Sequence, residues 1–166
     1  LQRFSHHSFL EKVYAYLWAR TIKCSSCGLI VPLSRHWWIS RTKNDEKSVA
    51  VKVVVPETGD KCTFEMISSP TSRGYDPFKG TVKGGRVECP RCHIVINGEE
   101  VKQEAQSGRM GYQLYSICVK RRSVGKKRTE WGFRAPKKEE DKAFEKARKQ
   151  LKAKLPNWEA LGLVPN

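Results

Sequence analysis

Two pairs of cysteines, each with two residues between its members, have a spacing typical of metal sites. The first pair lies in Cys24-Ser-Ser-Cys27 and the second in Cys89-Pro-Arg-Cys92. Zinc binds four thiolates in a tetrahedron, and two cysteines at this spacing can occupy two of its corners. We therefore predict that Cys24, Cys27, Cys89 and Cys92 hold one structural zinc ion. Because all four corners would be sulfur, no position stays open for a catalytic water.

The two cysteine pairs are far apart in the sequence, with 61 residues between Cys27 and Cys89. Compact zinc modules have shorter insertions between their ligand pairs. Loop-closure entropy grows only logarithmically with length, so a folded insertion is tolerated. We expect the strands predicted between the pairs to form that insertion.

Other uses of the cysteines are weaker. Disulfides would suit an oxidising compartment, and a thioredoxin-like redox motif would require a neighbouring βαβ pattern, which the sequence lacks. His93 adjoins Cys92 and stays open as an alternative ligand. Cys62 and Cys118 lie within apolar strand patterns, so we expect them to be small buried hydrophobic residues.

The chain is strongly basic. Its 32 lysines and arginines against 17 acidic residues give a formal net charge of +15. Such a surface attracts polyanions, of which nucleic acid is the commonest, with an anionic membrane as the rival partner and simple solubility as the plainest explanation. No apolar run approaches the roughly 18 residues that span a bilayer, and the N-terminus lacks a signal-peptide pattern, so we expect a cytoplasmic protein with no membrane partner.

Basic residues beside aromatic ones suggest phosphate contacts, because cations bind the backbone while rings stack on bases. The group near Trp37 and Trp38 is one candidate, and adjacent strand residues face opposite ways, so we expect at least one tryptophan in the core. A second candidate is the dense basic segment 121–128, interpreted as a hairpin loop. From these two groups, the residues predicted to contact nucleic acid are Arg35, Arg41, Lys43, Arg121, Arg122, Lys126, Lys127 and Arg128.

These residues need elements to position them. Leu10, Val13, Tyr14, Leu17 and Trp18 recur at helical spacing after a Ser8–Glu11 capping box, which predicts a helix from Phe9 to Arg20. Alternating or β-branched patterns predict strands at 48–55 and 61–67, with PETGD between them as a hairpin connection, and further strands at 112–120 and 129–134. Residues 81–88, around Gly84-Gly85, should form either a short hairpin or an extended link. A basic helix should begin near Glu139 and end at Pro156.

The fold class we predict is α+β. A β-rich zinc-ribbon module with a strand-forming insertion (residues 22–134) would lie between an N-terminal helix (1–21) and a basic C-terminal helix with a linker (135–166). No phosphate-binding glycine loop, serine-nucleophile motif or zinc-protease motif occurs in the sequence, so we expect no complete catalytic site. The chain begins at Leu1 and its first methionine is Met66, which leads us to expect a fragment of a longer protein.

Several phrases together resemble a known family. They are YLWARTIKCSSCGLIVPLSRHWWIS, GGRVECPRCHIVI, GRMGYQLYSICV and PKKEEDKAFEKA, and the likeness extends from Tyr14 to the end. The sequence resembles the zinc-ribbon insertion of adenine-specific DNA methyltransferases that contain a zinc-ribbon module. The resemblance carries the ligand role onto Cys24, Cys27, Cys89 and Cys92, and adds Arg109 of the GRMG phrase to the predicted nucleic-acid contacts.

The resemblance also implies what lies elsewhere. In that family the insertion separates the cofactor-binding glycine motif from an Asp-Pro-Pro-Tyr catalytic motif, and this chain contains neither. S-adenosylmethionine would therefore be a cofactor only together with the catalytic domain. The leading hypothesis is a non-catalytic, zinc-stabilised module that binds DNA phosphates and works with the remainder of a methyltransferase chain or complex. The alternatives are a structural or protein-interaction insertion, and a chain that is catalytic with a partner subunit.

Overall fold

The computed structural model of the chain describes residues 9–123 and 129–164. The chain divides into two units, Leu1–Ala135 and Pro136–Asn166. The described elements follow in the order β1 (Phe9–Lys23), β2 (Ile30–Leu33), β3 (Trp38–Ser40), a 3-10 turn (Asp45–Lys47), β4 (Val49–Val54), β5 (Thr63–Ser68), β6 (Val82–Lys83), β7 (Arg86–Glu88), β8 (Val95–Ile96), α1 (Gly98–Gln106), β9 (Gly111–Ser123), β10 (Glu130–Arg134) and α2 (Lys138–Ala160). Strands predominate over helices, and the prediction of an α+β chain is confirmed at that level.

The largest sheet is four-stranded and antiparallel, with strand order β10-β9-β1-β2. Its longest strand pairing is the ladder between β1 and β9, which extends from Phe9 opposite Ser123 to Thr21 opposite Gly111. The strands predicted at 112–120 and 129–134 are confirmed, and they pair with each other as a hairpin.

The predicted N-terminal helix from Phe9 to Arg20 is wrong, because this segment is strand β1. Its ladder with β9 is interrupted between Val13 and Ala15, where Tyr14 is the extra residue, and again between Leu17 and Trp18. The extra residue Tyr14 shifts the two-residue alternation of side chains along β1, so the apolar positions imitate a helical spacing; at the second interruption the extra residue is Tyr115 of β9. The Glu11 carboxylate, predicted to cap a helix, instead accepts hydrogen bonds from Arg121 and Arg134 on neighbouring strands.

A second sheet has the order β3-β4-β5. The predicted hairpin of two strands is confirmed, with Val49 opposite Ser68 and Val54 opposite Thr63. β-branched residues fill β4 because they pack well on a pleated surface. Trp37, Val51 and Phe64 form its buried core, and Tyr115 of β9 packs against them. The expectation that one of the two adjacent tryptophans lies in the core is confirmed for Trp37.

The third sheet is the short meander β6-β7-β8. Gly84 and Gly85 connect β6 to β7 with φ values of 56° and 79°, so both have left-handed backbones. A two-residue hairpin turn with two positive φ angles favours glycine at both positions. Of the two alternatives predicted for 81–88, the hairpin is therefore confirmed and the extended link is wrong.

Both helices depart from the sequence expectations. Helix α1 was not predicted; Asn97 begins it, accepting a hydrogen bond from the Glu100 amide at 2.9 Å. Helix α2 passes Pro156 and ends at Ala160, so the predicted end at that proline is wrong. A proline removes one hydrogen bond from a helix, which here is tolerated near the end of 23 residues, none of them buried.

Within the first unit, side chains join the sheets through backbone groups. The Gln113 amide of β9 donates to the carbonyl of Cys62 at 2.6 Å, and both residues are buried. Thr81, also buried, donates from its hydroxyl to the Pro32 carbonyl at 2.6 Å and accepts from the Ser34 amide at 3.1 Å. The two bonds of Thr81 connect the start of the third sheet to the end of β2, which positions the two cysteine pairs relative to each other.

Candidate metal centre

Each cysteine pair lies in a turn between two antiparallel strands. The first turn connects β1 to β2, where Lys23 pairs with Ile30, and the second connects β7 to β8, where Glu88 pairs with Val95. Both turns therefore begin one residue after the last paired position of the first strand. The sequence places the four thiols at the tips of two hairpins that have the same register.

The backbones of the two turns make equivalent hydrogen bonds. In the first, the Cys24 amide donates to the Leu29 carbonyl at 2.8 Å, and the Gly28 amide donates to the Cys24 carbonyl at 2.9 Å. In the second, Cys89 donates to Ile94 at 3.0 Å and His93 donates to Cys89 at 2.9 Å. The two ligand pairs thus have the same local structure, which presents both thiols of a turn to the same side.

The four sulfur atoms lie together. All of them are within 4.8 Å of one another, with Cys24 Sγ 3.7 Å from Cys92 Sγ and Cys27 Sγ 3.6 Å from Cys89 Sγ. Four sulfurs at the usual Zn–S distance of about 2.3 Å define a tetrahedron with edges of about 3.8 Å. A covalent S–S bond would be far shorter, about 2.05 Å. The arrangement therefore fits a tetrahedral ion held by four thiolates, and the described cysteines form no disulfide.

The protein environment shifts the pKa values of two of these thiols in opposite directions. The backbone amide of Ile94 donates to the Cys92 sulfur and lowers the pKa of that thiol to about 6. Burial raises the pKa of the Cys89 thiol to about 12. A buried thiolate needs a compensating positive charge, which a divalent cation would supply. The residues present therefore fit a metal ion.

A hydrophobic cluster surrounds the site. Its buried members are Ile22, Cys24, Leu29, Val31, Cys62, Val87, Cys89 and Ile96. Cys62 belongs to this cluster without joining the four sulfurs, and burial raises the pKa of its thiol to about 11. Cys118 is buried as well, so the expectation that these two cysteines are buried is confirmed.

His93 does not join the metal group. Its side chain is 74% exposed, and its Nδ1 lies 3.2 Å from Oε1 of Glu88. The four-sulfur group is complete without it. What the structure does require of residue 93 is its left-handed backbone, with a φ of 59°.

Sequence reasoning missed Arg91, which lies inside the second cysteine pair. Its Nη2 atom donates to the carbonyls of Gly59 at 2.6 Å and Pro56 at 3.1 Å, in the loop between β4 and β5. The arginine thereby joins the second turn to the insertion. No local pattern signals this role, because both acceptors are main-chain carbonyls more than thirty positions away.

The predicted nucleic-acid contacts fall into different environments. Arg35, Arg41, Lys43 and Arg122 are exposed. The Arg41 guanidinium lies over the rings of Trp38 and Phe78, at 5.7 and 5.1 Å from their centroids. Sequence reasoning missed Phe78, although aromatic residues beside arginine were its stated signal. Lys126, Lys127 and Arg128 lie outside the described residues.

Two of the predicted contacts are engaged within the protein. Arg109 forms an ion pair with Glu104, with Nη2 2.7 Å from Oε1, which lowers the pKa of Glu104. Arg121 lies 3.2 Å from Oε2 of Glu11 and belongs to strand β9 with Arg122, so its predicted place in a loop is wrong. Their charges are balanced by these carboxylates, which weakens the case for both as phosphate contacts.

Comparison with known proteins gives no relative. No protein-family model, no curated protein and no solved structure matches this chain. In the part of the chain that the structure describes, no helix is both long enough and apolar enough to cross a membrane. Function must therefore be inferred from the four-sulfur site, the charge of the chain and its surface.

Proposed function

We propose that this chain is a non-catalytic, zinc-stabilised DNA-binding module of an adenine-specific DNA methyltransferase. The observation that carries the proposal is the four-sulfur group of Cys24, Cys27, Cys89 and Cys92. The sequence resemblance to zinc-ribbon insertions of these enzymes supports the assignment to that class. S-adenosylmethionine and the adenine pocket would belong to the catalytic part, which would take the target base out of the DNA stack.

Zinc would act here as a structural ion. Four thiolates leave no coordination position for water or substrate, so the site suits folding rather than catalysis. The ion would join the β1–β2 turn to the β7–β8 turn, which 61 intervening residues separate in the sequence. Because the thiols are brought together only in the folded state, the free energy of metal binding contributes directly to folding.

DNA would be held through its phosphates. The formal net charge of +15 provides long-range attraction, and exposed cations such as Arg41, Lys43 and Arg122 are available to bind them. Helix α2 adds further exposed cations, namely Lys142, Lys146, Arg148, Lys149, Lys152 and Lys154. No described helix presents an obvious base-reading pattern, so the proposed contacts give affinity rather than sequence recognition.

Metal analysis tests the zinc assignment. Mass spectrometry of the purified chain should find one equivalent of zinc. Cys24→Ser and Cys89→Ser should lose both the metal and cooperative unfolding, because the remaining three thiolates no longer close the site. Cys62→Ser is the matched control: it changes a buried thiol in the same cluster and should retain zinc. A folded chain without metal would overturn the assignment.

A salt series tests the DNA contacts. The logarithm of the association constant for a duplex of mixed sequence should fall linearly with the logarithm of salt concentration, as condensed counterions are released. Replacing Arg41 and Lys43 by glutamine should reduce the slope by about one for each phosphate that is no longer neutralised. Arg109→Gln is the matched control, since Glu104 already balances that charge. No binding at low salt, or an affinity independent of salt, would contradict DNA binding.

A protein-interaction role is the second candidate. The C-terminal unit exposes Leu151, Leu161 and Leu163, which would be covered if this unit contacted another protein. Sedimentation of the purified chain discriminates between the candidates. Self-association that disappears when these leucines become serine, without any DNA binding, would favour the interaction module.

A further inference from the structure

An exposed aromatic pair lies on the large sheet, apart from the four-sulfur site. Tyr14 of β1 is 66% exposed and Trp131 of β10 is 55% exposed. Their ring centroids are 4.7 Å apart, with an angle of 81° between the planes. The two strands are not neighbours, because β9 lies between them. Side chains that reach each other across an intervening strand form a continuous surface.

A lysine of the intervening strand completes this surface. Nζ of Lys120 lies 4.5 Å from the ring centroid of Trp131 and 5.2 Å from that of Tyr14. Lys120 pairs with Trp131 on one side and with Lys12 on the other, and paired residues share a face of the sheet. The bulge between Val13 and Ala15 has Tyr14 as its extra residue, and bulges redirect side chains. We call Tyr14, Trp131, Lys120 and Lys12 the aromatic–lysine patch.

The charge on this face is positive. Arg122 is two residues from Lys120 along β9 and so lies on the same face, where it is exposed. Glu11 and Arg121 pair with each other in the register. They directly adjoin Lys12 and Lys120 in the sequence and therefore lie on the opposite face. The Glu11 carboxylate is engaged there by Arg121 and Arg134. The rings are thus flanked by cations, while Glu11 and Glu130, the two acidic residues that pair with Arg121, lie on the opposite face.

The chemistry of the patch selects its ligand. An exposed aromatic face binds another flat π system, and adjacent ammonium groups bind phosphates, so the combination suits a nucleotide with an unstacked base. In a duplex the bases are already stacked and their faces are inaccessible. An anionic membrane would also attract the cations, but it provides no flat ring for Trp131.

We propose that the aromatic–lysine patch is a stacking site for an unpaired nucleobase in single-stranded nucleic acid, with the flanking phosphates on Lys12, Lys120 and Arg122. The proposal rests on the nucleic-acid binding of the proposed function and specifies where and in which form the nucleic acid is bound. It assigns an unpaired base to this surface, whereas the cations considered above act on phosphates alone.

Two single-stranded oligonucleotides of equal length, one with bases and one without, distinguish base stacking from phosphate binding. Fluorescence anisotropy would compare an oligothymidine of about eight nucleotides, within the site sizes known for single-strand binders, with an oligomer of the same length whose sugars lack bases. Both carry the same phosphates. The intact chain should bind oligothymidine at least about tenfold more tightly than the abasic oligomer, as expected for one or two stacked bases.

Substitutions locate the effect. Trp131→Leu should remove that preference and leave the affinity for the abasic oligomer unchanged, while Trp131→Phe should restore most of it. Tyr14→Leu is a second variant that reports on the same pair if Trp131→Leu fails to fold. Tyr112→Leu is the matched control: its ring is 54% exposed and also lies beside a cation, with Arg20 Cζ 4.6 Å from the centroid. That variant should bind both oligomers as the intact chain does.

The outcomes distinguish the two proposals. Equal, salt-dependent binding of both oligomers by the intact chain would overturn the stacking site and leave phosphate binding intact. A base preference that survives both Trp131→Leu and Tyr14→Leu would also overturn it, because the base would stack elsewhere. No binding to either oligomer or to a duplex at low salt would overturn both proposals. Binding to anionic lipid vesicles with no preference for bases would identify the patch as a membrane contact and contradict the stacking site.

Discussion

Gly28 and His93 occupy equivalent positions in the two cysteine turns, and both have left-handed backbones, with φ values of 75° and 59°. Each donates its amide to the carbonyl of the first cysteine of its turn, at 2.9 Å. The backbone geometry is thus repeated, although one position has a glycine and the other a histidine. Glycine adopts this conformation without steric cost, and histidine is one of the few other residues enriched there.

Substitution at residue 93 should therefore affect the backbone rather than the metal. His93→Val should lower the free energy of unfolding by about 1–2 kcal/mol, because a β-branched residue is strained in the left-handed region. His93→Gly should be tolerated. Both variants should retain one equivalent of zinc, because the histidine lies outside the four-sulfur group. Urea denaturation with metal analysis measures both quantities.

His36→Val is the control for this pair of variants, since His36 is exposed and is not among the described residues with positive φ. It should change the stability little. Loss of zinc from His93→Gly would contradict the assignment of a purely conformational role and would revive the histidine as a ligand.

The Glu11 ion pairs predict a pH dependence. The hydrogen bond from Arg134, assisted by Arg121, lowers the pKa of the Glu11 carboxyl below its ordinary value. A carboxyl with a lowered pKa in the folded state stabilises the protein above its unfolded pKa of about 4.3, and this contribution is lost as the pH falls through the folded-state pKa. Glu11→Gln should therefore reduce the free energy of unfolding at pH 7 by about 0.5–1 kcal/mol, because solvent screens the pair.

The difference between the Glu11→Gln variant and the intact chain should stay nearly constant from pH 7 to about 5 and shrink as the pH falls below about 4.3, measured by urea denaturation at each pH. Comparing the two chains at the same pH cancels the effect of protons on the thiolates. Glu57→Gln, at an exposed position of the β4–β5 loop, is the charge-matched control and should show a smaller difference. A Glu11 effect that grows toward acid would contradict this account.

Replacing Gly80 by a larger residue should lower stability for a purely steric reason. A Cβ added at this position would collide with the backbone carbonyl of Ser34 and the backbone of Arg35, and the φ of this glycine is not in the left-handed region. Gly80→Ala should lower the free energy of unfolding by about 1–3 kcal/mol, because the backbone must move to admit a methyl group. Lys79→Ala, at the exposed neighbouring position, should be nearly neutral. Equal stability of the two variants in denaturant titrations would show that the backbone relaxes at no cost.

Local patterns gave correct predictions where the structure itself is local. The β4–β5 hairpin and the Gly84–Gly85 turn depend on residues close together in the sequence, and both were identified from it. The cysteine pairs were also evident, because each lies in a turn of its own. That the four sulfurs lie within 4.8 Å of one another is a result of the fold.

The errors arise where a distant partner decides the structure. Strand β1 has an apolar pattern with helical spacing because a bulge at Tyr14 interrupts its ladder with β9, whose residues lie about a hundred positions away. Likewise, the proximity of Tyr14 to Trp131 follows from the strand order β10-β9-β1. No pattern in a window of a dozen residues contains that information.

The matching registers of the two cysteine hairpins also have a consequence for the order of assembly. Each hairpin joins strands adjacent in sequence, so each can form early in folding, before the segment 34–85 between them is organised. A nascent turn could then capture the ion with two thiolates and wait for the other pair. Closing so long a loop costs little more than closing a short one. The slow event would be folding of the insertion. The metal would first bind one cysteine pair and would be fully coordinated only when the second pair reaches it.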